Sequence, residues 1–148
     1  MMRFRKEKGC CTAPYSVNIS LTERCPLRCP FCFHEYEKCH ELDFQTVCNY
    51  IDELTFLGTA QVQFSGGEPL LYSNILEIIS YSHLRGLRTV MSTSGVGLSE
   101  KTAEKLKKSG LDCCYISLNG SREGIHQLTR DGYEYAIQAL KILFKVGV

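Results

Sequence analysis

The sequence carries almost no net charge: 17 Lys and Arg against 16 Asp and Glu leave +1. That balance lacks the basic footprint of a nucleic-acid-binding domain, and no nucleic-acid partner is expected. No apolar run approaches the roughly 20 residues that a membrane-spanning helix needs, so no membrane association is expected. The opening residues, Met1 to Lys8, are basic but lack the apolar stretch of a secretory signal. Linkers, low-complexity tracts and sequence repeats are missing too. At 148 residues and 44% hydrophobic content, the chain reads as one globular domain with a substantial core. We expect a poorly specified N-terminal arm over residues 1–14 and a core domain over 15–148.

Cysteine, by contrast, is abundant. Nine is a high and odd count. With nothing pointing to export, reduced thiols and a metal centre in the cytoplasm fit better than disulfides. Three of them lie in Cys25-Pro-Leu-Arg-Cys29-Pro-Phe-Cys32, a C-x3-C-x2-C spacing directly after the alternating run Val17-Asn-Ile-Ser-Leu21. Cys25 and Cys29 each precede a proline, which disfavours helix and suits a loop wrapped around a ligand. Thiolates are the usual ligands of iron–sulfur clusters, four cysteines normally closing a four-iron cluster. Three would hold three irons and leave the fourth open to a small molecule. The other reading is a zinc knuckle whose fourth ligand is His34, Cys39 or His40.

Along the chain, strand-like and helix-like patterns alternate. Strands are expected at about 15–21, 61–64, 87–92 and 112–118. Helices follow with caps at Asp43, Ser73 and Ser99, stops at Gly58, Gly86 and Gly110, and a last helix over about 132–145. Four βα units of this kind predict an α/β fold with a parallel sheet and right-handed crossovers. The cysteine loop, Gly66-Gly-Glu68, Thr93-Ser-Gly95 and Ser117-Leu-Asn-Gly120 each follow a strand's carboxyl end, the edge where such folds bind ligands. Apolar Val17, Ile19, Leu21, Val62 and Phe64 alternate with polar Asn18, Ser20, Gln61, Gln63 and Ser65. With the apolar set against the helices, the opposite, concave face would be polar. Cys48 reads as a core thiol, and Cys113 and Cys114 point to opposite faces of their strand. Gly66 and Gly67 allow a close backbone approach, since neither has a Cβ.

The cysteine spacing, with Phe31 before the third cysteine, and Gly66-Gly-Glu-Pro69 together resemble the radical S-adenosylmethionine (radical SAM) superfamily. The similarity runs from about Tyr15 onward. It is closest to the branch containing peptide- and sulfatase-maturating enzymes with SPASM-type extensions. The resemblance implies a partial TIM-like (βα) barrel of normally six units, of which this sequence supplies four. It also implies a 4Fe-4S cluster on Cys25, Cys29 and Cys32, whose open iron chelates S-adenosylmethionine. Reductive cleavage then gives a 5′-deoxyadenosyl radical that takes a hydrogen atom from substrate, here a peptide or protein side chain.

Further site residues follow from the same resemblance. Glu68 would meet the cofactor's ammonium, and Ser117 and Asn119 its ribose or methionyl part. Ser94 stands where relatives often carry Asn. Arg130, four residues after His126, matches an arginine that meets the cofactor carboxylate, although Gln127 replaces an expected Asp. Phe31 and Phe33 would line the adenine pocket. No residue is assigned to proton or group transfer. An electron donor such as flavodoxin or ferredoxin is implied. The strand-four edge calls either for further C-terminal sequence or for a second chain to complete the barrel. The reading from another class is a non-catalytic iron–sulfur or zinc module needing a partner chain. Cys10, Cys11 and Cys39 receive no role.

Overall fold

A computed structural model describes residues 13–32 and 39–148. Cys10, Cys11, Phe33 and His34 lie outside the described residues. Four strands, β1 (Ser16–Thr22), β2 (Gln61–Gly66), β3 (Arg88–Thr93) and β4 (Cys113–Ile116), form one sheet in the order β1-β2-β3-β4. Every pairing is parallel. The helices are α1 (Phe44–Leu57), α2 (Ile75–Leu84), α3 (Glu100–Lys108), α4 (Glu123–His126) and α5 (Tyr133–Val146), with a 3-10 turn at Pro69–Leu71. This is the expected alternation of a partial barrel.

Side-chain parity splits the sheet into two chemically different faces. Ile19, Leu21, Val62, Phe64 and Met91 belong to one buried cluster with Val47, Cys48 and Ile51 of α1, Ile78 and Ile79 of α2, Leu106 of α3 and Leu143 of α5. Completely burying one such aliphatic side chain contributes about 1.5–3 kcal/mol, so this layer is the main source of stability. Across the other face runs a ladder of polar side chains. Gln61 donates to Ser16 Oγ at 3.0 Å, Ser65 to Asn18 Oδ1 at 2.7 Å, and Gln63 to Ser92 Oγ at 2.8 Å. The concave face is polar, as the alternation predicts.

Side-chain caps close two of the five described helices where the sequence places them. Asp43 Oδ2 accepts from the Thr46 N–H at 3.0 Å, and Gly58 ends α1 in the left-handed region at φ 89°. Ser99 Oγ accepts from the Thr102 N–H at 3.1 Å. Ser73 is different. Asn74 occupies the cap position of α2 without a side-chain bond, and the Ser73 N–H is drawn instead to Glu41 Oε1 at 3.3 Å. The chain enters α2 from the 3-10 turn, so backbone carbonyls satisfy the first amides: Ile75 N–H donates to the Tyr72 oxygen.

β4 is shorter than the alternation predicts. Its pairing with β3 ends at Thr93↔Ile116, and Ser117 N–H adds one bond to the Thr93 oxygen before the chain leaves the sheet. Among the described residues nothing pairs with the outer edge of β4. No helix among them is long and apolar enough to cross a membrane.

Candidate functional site

The four turns at the strand tips meet in one cleft at the carboxyl edge of the sheet. It is lined by Cys25, Cys29 and Cys32 with Leu27 and Phe31, by Ser65, Gly66 and Gly67, by Ser92 to Ser94, and by Ser117 and Arg130. Most residues singled out from the sequence are therefore brought together. Glu68 and Asn119 are absent from the lining, and their reasons differ.

Glu68 is 0% exposed. Its carboxylate faces the protein and is fully engaged. Oε1 accepts from the Leu70 N–H at 3.2 Å and from the Thr93 hydroxyl, while Oε2 accepts from the Ser94 N–H at 2.9 Å and from the Ser94 hydroxyl. The donors of β3 and the 3-10 turn occupy both oxygens. A buried carboxylate must find such donors or forfeit its charge. Glu68 thus knots the tip of β2 to the tip of β3, and Ser94 owes its orientation to that knot. Thr93, which opens the Thr93-Ser-Gly95 turn, is an equal member of it; its hydroxyl also accepts from the Gly95 N–H at 3.0 Å.

The paired glycines line the cleft and also lie close against backbone. A Cβ on Gly67 would stand 2.4 Å from the Arg24 carbonyl oxygen and 2.7 Å from that of Glu23; one on Gly66 would stand 2.4 Å from the Thr22 oxygen. The missing side chains let this turn lie against the start of the cysteine loop, and two bonds seal the contact: Gly67 N–H to the Thr22 oxygen at 2.7 Å and Glu68 N–H to the Arg24 oxygen at 2.8 Å. The glycines therefore set where the cysteine loop begins. Gly67→Ala should cost about 1–3 kcal/mol or more, because the obstacle is backbone and cannot rotate away; a chemical-denaturation midpoint measures it. Gly95 plays a similar part on the other side, where a Cβ would meet Ala139 Cβ of α5 at 2.6 Å.

Within the cysteine loop, Cys32 N–H donates to the Cys29 oxygen at 3.0 Å. Burial pushes the Cys25 thiol up, and nearby Glu68, Cys29 and Cys32 add to that. Cys39 is exposed and stands outside the cleft. Among the described residues, no three His, Cys, Asp or Glu side chains converge on a single ion. A cluster makes a different demand, since each thiolate binds its own iron and the sulfurs stand further apart. One more polar group faces the same cleft: the guanidinium of Arg130 lies 5.0 Å from the Phe31 ring centroid, and its Nε is buried without a partner. Cys113 and Cys114 split as parity requires. Cys114 packs against the core, where burial pushes its thiol up to about 12, and Cys113 is half-buried on the polar side.

Asn119 is turned away from the cleft. Its N–H donates to His126 Nδ1 at 3.2 Å and its side-chain amide to Thr129 Oγ1 at 3.1 Å. The glycine beside it is there for close approach, since a Cβ on Gly120 would stand 2.7 Å from the His126 backbone nitrogen.

Comparison with known proteins agrees with the fold. The family model of the Radical SAM superfamily matches residues 19–148. The chain belongs to the radical SAM superfamily. Curated relatives include a PqqA peptide cyclase of Ruegeria pomeroyi, 39% identical over 112 residues, covering 74% of this chain and 30% of that protein. Another is a PqqA peptide cyclase of Gluconobacter oxydans, 38% identical over 113 residues, covering 74% and 32%. The chain thus spans about a third of the length of these relatives. Among solved structures, Streptococcus suis SuiB bound to precursor peptide SuiA superposes with a TM-score of 0.79 at 20% identity, covering 93% of this chain and 32% of that one. The anSMEcpe structure with bound AdoMet and Kp18Cys peptide gives 0.74 at 20% identity, covering 91% and 41%. At that identity the likeness is one of fold.

Proposed function

We propose that this chain is the cofactor-binding part of a radical SAM enzyme that acts on a peptide or protein side chain. The observation that carries the reading is the one cleft into which the three cysteines, the glycine turn and Arg130, whose Nε is buried without a hydrogen-bond partner, all open. Three thiolates suit an iron–sulfur cluster with one vacant corner. When bound, such a cluster supplies the electron that cleaves S-adenosylmethionine reductively to methionine and a 5′-deoxyadenosyl radical.

The chain's own residues have separable tasks. Cys25, Cys29 and Cys32 hold the metal. Arg130 Nε, already desolvated, is suited to a carboxylate, and a charge-assisted bond there is roughly twice as strong as a neutral one. Phe31 offers an aromatic face for a base. Gly66 and Gly67, Ser94 and Ser117 shape the wall between thiols and sheet, and the Glu68 knot keeps that wall in place. Asn119 supports the loop that carries Arg130. Peptide as the substrate class is drawn from the named relatives, peptide cyclases, and a flavodoxin or ferredoxin would supply electrons. The polar concave face, with Asn18, Gln63 and Tyr115 toward its open side, suits a substrate rich in amide groups.

The test is anaerobic reconstitution with iron and sulfide, followed by S-adenosylmethionine and dithionite. We expect 5′-deoxyadenosine and methionine in equal amounts. Bound zinc, or a reduced cluster without either product, would leave the non-catalytic module as the better description.

A further inference from the structure

The loop after β4 returns to the cysteine loop and meets it three times. Asp131 Oδ2 accepts from the Arg28 N–H at 2.8 Å, across 103 positions of sequence. Leu27 sits over Gly132, where a Cβ would stand 3.0 Å from Leu27 Cδ1. Between these contacts, Arg130 lies against Phe31.

What steadies the far side of this contact is His126, 0% exposed. Both ring nitrogens are engaged. Nδ1 accepts from the Asn119 N–H, and Nε2 lies 3.2 Å from the Asp131 carbonyl oxygen, to which it donates in that tautomer. The Tyr133 ring closes edge-on at a centroid distance of 5.5 Å, and its hydroxyl donates to the Ser121 oxygen at 3.0 Å. The segment 119–133 is thereby folded around one imidazole. Asp131 is held through its carbonyl on one side and holds Arg28 through its carboxylate on the other. The bond to Arg28 is charge-assisted, the stronger kind.

We infer that Asp131 and His126 are positioning residues that clasp the loop carrying Arg130 to the cysteine loop, so that guanidinium and thiols keep one mutual geometry. Its consequence for cofactor affinity rests on the reading of Arg130 given above; the clasp itself does not. A site built from two distant loops needs some such tie, because misplacing one by a fraction of an ångström degrades binding by both.

Exchange mass spectrometry on the cluster-reconstituted chain, paired with S-adenosylmethionine titration, tests this. In Asp131→Ala we expect the Arg28 amide to exchange at least about tenfold faster while β2 amides keep their rates. We also expect the dissociation constant to rise about tenfold with iron per chain unchanged, as lost preorganisation predicts. Asp131→Asn, which keeps an acceptor oxygen, should bring both back to within about threefold. His126→Phe keeps the ring stack, loses both nitrogens, and should reproduce the alanine pair of effects. Unchanged Arg28 exchange in both Asp131→Ala and His126→Phe overturns the clasp, and so does faster exchange with unaltered affinity when Arg130→Ala weakens binding. If Arg130→Ala leaves affinity unaltered, the cofactor role of Arg130 fails, and exchange alone decides the clasp. Should Asp131→Ala lose β2 protection as well, His126→Phe carries the same comparison.

Discussion

Replacing Glu68 with alanine should lower stability by about 2–4 kcal/mol, since four donors lose their acceptor inside the protein. Two of these, the Leu70 and Ser94 amides, belong to the backbone and cannot turn elsewhere. The Thr93 and Ser94 hydroxyls can rotate and recover part of the loss. For a chain of this size the loss corresponds to a fall in midpoint of roughly 10 °C, readable by circular dichroism. Glu68→Gln separates charge from volume. Whichever oxygen becomes an amide NH2 must face a backbone N–H, at Leu70 on one side or Ser94 on the other, so the variant should recover less than half of the difference. A midpoint for Glu68→Ala within experimental error of the parent would mean the knot contributes nothing. Because Thr93 and Ser94 line the cleft, Glu68→Gln should also weaken S-adenosylmethionine binding while the chain remains folded.

The second large effect concerns the cysteines. Serine at Cys25, Cys29 or Cys32 should abolish the visible thiolate–iron absorption of anaerobically reconstituted protein. It should also cut 5′-deoxyadenosine formation by more than about 100-fold, since even residues that only support metal ligands are worth 10–100-fold. Cys39→Ser is the control. That thiol is exposed and outside the cleft, so absorption and turnover should stay within about twofold, as for other surface changes. If Cys39→Ser removes absorption as well, the metal is closed by a fourth protein donor and the vacant corner does not exist.

The elements that the sequence foretells are those whose causes are local. Asp43, Gly58 and Ser99 act on amides and carbonyls within four residues of themselves, and all three sit where the pattern puts them. The polar and apolar faces of β1 and β2 follow from alternation alone. α4 went unforeseen because it is a single turn with no side-chain cap. Ser73 failed as a cap because the turn at Pro69–Leu71 delivers the chain to α2 from an angle that no short-range pattern encodes. In the site, the thiols and glycines announce themselves by spacing. The inward turn of Glu68 does not, since its partners arrive 25 residues later. Asp131 is still harder to see: an acidic residue beside an arginine reads as solvated surface, and its partner lies 103 residues upstream.

The two-faced sheet has an evolutionary corollary. The main apolar cluster lies on the helix side, so exchanging Asn18, Gln63, Ser92 or Tyr115 alters the opposite wall while that cluster stays intact. Such a scaffold can drift toward new molecules by replacing one rung at a time, each step costing little in folding free energy.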